Sequence, residues 1–341
     1  MKKHQTLILF LLIIRFAFSE DPLWMRYPAI SPNGSQIVFS YGGDLFIVSS
    51  EGGTALPITR NPAHDYMPVW SPDGSQIAFA SDRHGNYDVF VIPSSGGRPN
   101  RLTYHSSNDL PSGWTPDGNA VLFSSNRMDD VKSTLFPSGR MTELYQVSTD
   151  GSRPEQLLTT PAEHAKYDPK GENIYYIDRK GYENEWRKHH TSAETRDIWQ
   201  YNLKSGGHTQ LTDFPGEDRD PVTIDGKWIY YLSETSGTFN VWKMKNTGRN
   251  IEQITYLETH PVRFLSISDK GLLCFGFRGE IYTLASKGKN PSKVEIRIFT
   301  DDQFNAVQFE SFSDGVSEMA VSPDSKEIAF IVRGEVFVTS S

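Results

Sequence analysis

The stretch PVWSPDGSQIAFASDRHGNYDVFVIPSSGGRPNRLT, from Pro68 to Thr103, contains one complete structural unit. It runs through an apolar segment, a Pro-Asp-Gly turn, two alternating segments separated by a Gly-containing turn, a Gly-Gly pair and a short last segment. Period-2 alternation with β-branched and aromatic residues is typical of strands. Proline fixes φ and glycine tolerates positive φ, so Pro-Asp-Gly favours a tight turn. The unit therefore predicts four short strands.

The same turn motif recurs along the chain at intervals of 40 to 55 residues. Its copies are SPNG at Ser31, SPDG at Ser71, TPDG at Thr115, DPKG at Asp168, TIDG at Thr223, SDKG at Ser268 and SPDS at Ser322. Each copy is followed by an apolar alternating run such as QIVFS, QIAFA or AVLFS, and no long segment has helical periodicity. Repeated four-stranded units of this length indicate the blades of a β-propeller.

The number of units predicts the domain organisation. Six units are complete between Trp24 and Gln303, and a seventh stops in mid-unit at Ser341. We therefore predict an all-β protein with a six-bladed β-propeller over residues 20–303 and an incomplete first blade of a second propeller over residues 304–341. A seven-bladed ring stays open if its final strands come from the N-terminus. A chain that stops inside a repeat also predicts a fragment of a longer protein.

The first 19 residues have the layout of a secretory signal peptide. Lys2 and Lys3 precede an apolar region from Leu7 to Phe18, and cleavage is expected after Ser19. No later segment approaches transmembrane length, so we expect no membrane span after cleavage. The predicted location is the periplasm or the extracellular space.

Composition excludes several classes of function. The net charge of −8 argues against a nucleic-acid partner, because phosphate binding favours a basic face. The single cysteine, Cys274, rules out an intrachain disulfide and a Cys-based zinc site. The chain has no G-x-S-x-G, no H-E-x-x-H and no Walker loop, so we predict no catalytic residue, no metal and no cofactor.

Polar residues precede or open the first strand of most units, in AHDYMP, HSSNDLP, EHAKY, GEDRDP and THPVRF. In a propeller these positions gather around one mouth of the central channel. We expect the channel mouth to contain His64, Asp65, Asp109, His164, Asp218, Arg219, Asp220, His260 and Arg263. Their registers differ from unit to unit, which argues against a metal ring and favours a water-filled polar channel.

An insertion in the fourth unit, GYENEWRKHHTSAETRDIW, forms a second candidate site for a ligand or partner. There Trp186 offers a stacking face, Arg187 can pair with a carboxylate, and His189 or His190 can titrate near neutrality. The alternative is a rim loop that packs Trp186 on a neighbouring unit. The recurrent pairs Asp82-Arg83 and Asn126-Arg127 are interpreted as structural, with the arginine bonding exposed carbonyls.

The repeat W-S-P-D-G-x-x-I-A-F-x-S-D-R-x-G-x-x-D-V-F-V resembles the TolB-like repeats of Tol-system periplasmic proteins, prolyl-oligopeptidase-type peptidases and tricorn-type peptidases. The passages FPSGRMTELYQVSTDG, ENEWRKHHTSAETRDIWQYN and LTDFPGEDRDPV are similar to the N-terminal region of tricorn protease homologues. The resemblance extends from about Asp21 to Ser341. In that family a six-bladed propeller is followed by a seven-bladed propeller, a PDZ-like domain and a serine peptidase core.

This resemblance implies that the catalytic residues lie beyond Ser341, so none is carried over, although the parent protein is expected to be a serine peptidase. The implied function is that of a non-catalytic propeller module of an exported tricorn-like peptidase, acting as a peptide channel or docking surface. Implied partners are peptide substrates or products, the downstream domains of the same polypeptide and further copies in a homo-oligomer. The alternatives are a stand-alone periplasmic TolB-like interaction propeller, the propeller of a prolyl-oligopeptidase-type enzyme, and a cytoplasmic location as in archaeal tricorn.

Overall fold

A computed structural model describes residues 22–127, 141–181, 189, 191–299, 314–332 and 335–341. Every regular element in these residues is a β-strand, which confirms the all-β prediction. The chain divides into two compact units between Phe299 and Thr300. In the described part of the chain, no helix has the length and apolar character needed to cross a membrane.

Among its described residues, the first unit contains six sheets, each with four antiparallel strands that are consecutive in sequence. Sheet one consists of β1 (Arg26–Ile30), β2 (Gln36–Tyr41), β3 (Asp44–Ser49) and β4 (Gly53–Pro57). Sheet two consists of β5 (Asp65–Trp70), β6 (Gln76–Ser81), β7 (Asp88–Pro93) and β8 (Asn100–Arg101). Sheet three consists of β9 (Asp109–Trp114), β10 (Ala120–Ser125), β11 (Glu143–Ser148) and β12 (Glu155–Leu158).

Sheets four to six follow the same order of strands. Sheet four consists of β13 (Ala162–Tyr167), β14 (Asn173–Asp178), β15 (Ile198–Asn202) and β16 (Gly207–Gln210). Sheet five consists of β17 (Asp218–Thr223), β18 (Trp228–Ser233), β19 (Asn240–Lys245) and β20 (Glu252–Gln253). Sheet six consists of β21 (Arg263–Ile267), β22 (Leu272–Phe277), β23 (Glu280–Ala285) and β24 (Ser292–Lys293).

The first strands of the six sheets, here called the inner strands, lie around a common axis. Each inner strand contacts the next in the order β1, β5, β9, β13, β17 and β21, and β21 contacts β1. The remaining strands of each sheet follow outward in sequence order. Apolar side chains fill the space between neighbouring sheets, as in the cluster that joins Met25 and Phe39 of sheet one to Cys274 and Ile281 of sheet six.

The Ser-Pro-Asp-Gly stretches form the turns between the first and second strands. In sheet two, Asp73 accepts hydrogen bonds from Ser71 Oγ (2.6 Å) and from the Ser75 amide (3.0 Å). Ser71 Oγ in turn accepts one from the Gln76 amide (2.9 Å), so the hydroxyl caps a backbone amide of the turn. The Ser71 and Ser75 hydrogen bonds lower the pKa of Asp73 to about 2.

The segment after sheet six returns to sheet one. Strand β25 (Ile296–Ile298) pairs in parallel with β4, which extends sheet one to five strands. Gly52 makes this approach possible, because its φ is +92° and a Cβ there would lie 2.7 Å from the Glu295 carbonyl oxygen. Strand β25 therefore joins the end of the sixth repeat to the first sheet.

The second unit contains one antiparallel sheet in its described residues. Sheet seven consists of β26 (Val316–Val321), β27 (Glu327–Val332) and β28 (Glu335–Ser340). Its first turn repeats the serine–aspartate bond of the sheet-two turn, from Ser322 Oγ to Asp324 at 2.7 Å. The repeated sequence motif therefore produces the same local structure in both units.

Candidate binding site at one mouth of the ring

The inner strands all begin at the same end of the axis, which we call the mouth. Strand register aligns their residues. In each sheet one inner-strand residue near the mouth pairs with the fifth residue of the second strand; it is Arg26, Tyr66, Leu110, Glu163, Arg219 or Arg263. The position before it is Met25, Asp65, Asp109, Ala162, Asp218 or Val262. The six repeats therefore place different charges on a common backbone frame.

Two of the predicted mouth residues, Asp65 and Asp109, are fully buried in arginine pairs. Asp65 bonds Arg83 at 2.6 Å, and Asp109 bonds Arg127 through both oxygens, with Nε at 3.0 Å from Oδ1. The guanidinium groups also lie over aromatic rings, Arg83 at 5.3 Å from Phe90. The arginines of the Asp-Arg and Asn-Arg motifs thus bond buried carboxylates instead of exposed carbonyls. A constant spacing of 18 residues between acid and arginine is the sequence signal for these pairs.

Sheets four and five share a second charged network. Arg196 donates to Glu217 (3.1 Å), which also accepts from Arg219 Nε (2.9 Å), while Arg179 bonds Glu163 at 2.6 Å. Beside the network, burial, with a smaller contribution from the charges of Asp197 and Glu217, raises the pKa of Asp218 to about 7. Of the predicted residues, Asp218 and Arg219 therefore lie together in a buried structural cluster.

The other predicted histidines have separate surroundings. His64 is exposed, stacks on Tyr66 with ring centroids 5.0 Å apart, and makes a 2.9 Å hydrogen bond between Nδ1 and the Tyr87 hydroxyl. His189 is exposed, and its backbone amide donates to Glu234 Oε1 at 3.2 Å. Trp186, Arg187 and His190 lie outside the described residues.

Most inner strands contain a β-bulge directly after the mouth. At these bulges Tyr27, Met67, His164, Asp220 and Phe264 have φ between 51° and 60°, in the left-handed region that non-glycine residues rarely adopt. Such backbone costs on the order of 1–3 kcal/mol per residue and is typical of functional or tightly constrained positions. A bulge redirects a side chain, and these five side chains line the axial cavities.

The axis is filled by these side chains to a large extent. His164 Nδ1 forms a short hydrogen bond with Asp220 Oδ1, and the rings of Tyr27 and Phe264 lie 4.3 Å apart. The two axial cavities measure about 90 and 30 Å³, which is room for a few water molecules. His164 and Asp220, both expected near the mouth, meet here between sheets four and five.

Electrostatics at the axis depends on a lysine and a carboxylate. Burial lowers the pKa of Lys166 to about 8, against the opposing effect of Asp220, and its Nζ donates to the Ser112 carbonyl. Burial would raise the pKa of Asp220, but His164 and Arg219 outweigh it and hold the pKa below its usual value. The Ser112 hydroxyl is buried and makes no hydrogen bond in the described structure, so it does not complete a Ser-His-Asp array with His164.

A larger cleft lies at the mouth between sheets six and one, and we call it the basic cleft. Its cavity measures about 640 Å³, within the roughly 300–1,000 Å³ typical of ligand sites. The side chains that give it its character are Trp24, Arg26, His260, Arg263, Phe264, Phe277 and Arg278. It brings together two predicted residues, His260 and Arg263. Trp24, Arg26 and Arg278 were missed, although aligning the repeats places Arg26 at the same position as the predicted residues Arg219 and Arg263.

The described residues contain no group of three or more His, Cys, Asp or Glu side chains that could hold a metal ion. Cys274 is fully buried, and burial raises the pKa of its thiol. The arginines and aromatic rings of the basic cleft suit it to anionic and apolar groups. The axial cavities have room for water, and His164, Lys166 and Asp220 beside them are titratable.

Sheets arranged around an axis, each adding its strands outward, define a β-propeller. Residues 22–290 match the family model described as the tricorn protease N-terminal beta propeller domain. The match covers more than half of the chain, and the chain belongs to this family, as the sequence resemblance predicted.

Solved structures have the same fold. The crystal structure of the tricorn protease superposes with a TM-score of 0.69 at 22% identity, covering 94% of this chain and 30% of that one. Putative TolB from Agrobacterium tumefaciens gives a TM-score of 0.56 at 20% identity, covering 68% of this chain and 80% of that one. An uncharacterized protein of Agrobacterium fabrum is 35% identical over 60 residues, which is 17% of this chain and 20% of that protein. This chain thus spans less than a third of the tricorn protease and a fifth of that relative.

Proposed function

We propose that this chain is the non-catalytic N-terminal propeller module of an exported tricorn-type serine peptidase, and that its mouth holds peptides near the ring. The family match over residues 22–290 is the observation that carries the proposal. In this proposal the six sheets are the full set of blades of one ring, and residues 304–341 begin a second propeller. The contact of β21 with β1 supports a ring of six.

The dimensions of the axis favour docking at the mouth over free passage through the ring. Cavities of about 90 and 30 Å³ do not accommodate an extended peptide while Tyr27, His164, Asp220 and Phe264 keep their positions. The basic cleft of about 640 Å³ has the size of a ligand site. Peptide transit would therefore require movement of the axial side chains, whereas docking in the cleft would not.

The proposal is tested with the purified chain and a fusion. The chain alone is expected to hydrolyse no fluorogenic peptide but to bind short peptides in fluorescence anisotropy. Its fusion to the remaining domains of a tricorn-type peptidase should hydrolyse the same peptides. Hydrolysis by the chain alone, at a rate that follows the protein through purification, would contradict the non-catalytic role. Binding of folded periplasmic proteins but of no peptide would favour the TolB-like alternative.

A further inference from the structure

The basic cleft has a charge opposite to that of the whole chain. The chain has a net charge of −8, but the described residues that line the cleft include Arg26, Arg263, Arg278 and His260 and no aspartate or glutamate. A concave surface of one sign concentrates ligands of the opposite sign. The cleft is therefore suited to an anion even though the protein as a whole repels anions.

Each arginine of the cleft lies against an aromatic ring. Arg26 is 5.8 Å from the Trp24 ring centroid, Arg263 is 5.7 Å from Phe239, and Arg278 is 5.3 Å from Phe277. Arg278 also donates to Thr259 Oγ1 at 3.2 Å. A stacked guanidinium presents its N–H groups in the plane of the group, which matches the two oxygens of a carboxylate.

Comparison of the repeats shows how the charge at the junction of sheets six and one arises. In sheets two and three an acid at the start of the inner strand faces an arginine after the second strand, as with Asp65 and Arg83. In sheet six the corresponding inner-strand residues are Val262 and Arg263, and Arg278 follows the second strand. Sheet six thus has Val262 where sheets two and three have the acid, and both Arg263 and Arg278 line the cleft.

At the cleft, the backbone before β1 packs closely against the turn between β22 and β23. The Met25 amide donates to the Gly279 carbonyl at 3.0 Å, which ties the segment before β1 to the β22–β23 turn. A Cβ on Gly279 would lie 2.9 Å from the Trp24 nitrogen, so glycine at φ +80° is required there. Trp24 is held in this way beside the arginines, although 70% of its surface is exposed.

We propose that the basic cleft binds peptides through acidic side chains, with an aromatic or aliphatic residue of the peptide against Trp24, Phe264 and Phe277. This inference rests on the proposed peptide-holding function and adds the chemical class of the peptide. The arginines bond the carboxylates, and the rings cover the apolar residue. Neutral peptides of the same shape bind more weakly, and added salt weakens the binding of acidic peptides.

The test uses the full chain and two peptides that differ only in charge, fluorescein-labelled Glu-Phe-Glu and Gln-Phe-Gln, both with amidated C-termini. The cleft variant is Arg26→Gln with Arg278→Gln, two exposed positions. The control, Arg98→Gln with Arg153→Gln, changes the net charge equally at exposed sites elsewhere. Loss of charged hydrogen bonds is expected to weaken binding of Glu-Phe-Glu by about tenfold or more in the cleft variant, and to leave the control at wild-type affinity.

Thermal unfolding of both variants checks that the fold is intact. A third peptide, Gln-Phe-Gln with a free C-terminal carboxylate, distinguishes recognition of the terminus from recognition of acidic side chains. Equal affinity for the two amidated peptides, or wild-type affinity of the cleft variant, would overturn the acidic-peptide inference and leave the peptide-holding function standing. Preference for the free C-terminus over acidic side chains would overturn it as well. Failure of every peptide to bind the wild-type chain would overturn both proposals.

Discussion

The buried pair of Asp65 and Arg83 gives the sharpest stability prediction. Arg83→Met keeps apolar volume against Phe79 and Phe90 but removes the cation 2.6 Å from a carboxylate that has no exposed surface. The second oxygen of Asp65 has no hydrogen bond, so the carboxylate has little other compensation. Removing one partner of such a pair costs about 3–5 kcal/mol of unfolding free energy. For a ring of this size the loss corresponds to a fall in Tm of roughly 5–9 °C.

The assay is urea unfolding followed by tryptophan fluorescence, with Arg98→Met as the control at an exposed position of the same sheet. The control should change stability by no more than about 0.5 kcal/mol. The double variant Asp65→Leu with Arg83→Met should recover most of the loss, because no buried charge remains unpaired. If Arg83→Met is as stable as the control, or if the double variant is as unstable as the single one, the reasoning about the buried pair is wrong.

Three further predictions concern two titrating groups and the pairing of β25 with sheet one. Because the pKa of Asp218 is raised to about 7, the folded state binds a proton that the unfolded state releases, and the wild type loses stability as pH rises from 4 to 7. Asp218→Asn does not titrate, so its unfolding free energy relative to the wild type should rise by up to about 4 kcal/mol across that range in urea titrations. Gly52→Ala should destabilise the chain by more than Gly85→Ala, because both glycines have φ near +100° but only Gly52 would place a Cβ against Glu295. Equal losses of unfolding free energy in urea would argue against the close approach of β25 to β4. After reductive methylation with ¹³C-formaldehyde, one lysine resonance should titrate near pH 8 and vanish in Lys166→Met, and titration of every lysine above pH 10 would refute a buried Lys166.

The strands and turns could be predicted from the sequence because they depend on local patterns. Ser71, Asp73 and Gly74 specify their turn through bonds within five residues, and the alternating QIAFAS run becomes β6 as expected. Strand β25 could not be assigned in this way. Its three residues form a strand only because β4 offers an edge more than 200 residues earlier in the chain.

The candidate site was only partly accessible from the sequence. Because the inner strands were expected to begin at one mouth, the sequence predicted that their first polar residues gather there. The structure does place His260 with Arg263 in one cleft and His164 against Asp220. Period-2 alternation contains no signal for a bulge, so it could not indicate that His164 and Phe264 face the axis. The depth of Asp65 could not be predicted either, because it depends on an arginine 18 residues away.

Peptide binding at the mouth between sheets six and one can be located by hydrogen–deuterium exchange of the full chain with and without amidated Glu-Phe-Glu. We expect slower exchange in residues 22–30 and 258–280, where the basic cleft lies, and unchanged exchange in the turns at the opposite end of the inner strands, such as residues 71–75 and 115–119. Protection confined to those opposite turns, or none within 22–30 and 258–280 at saturating peptide, would contradict it.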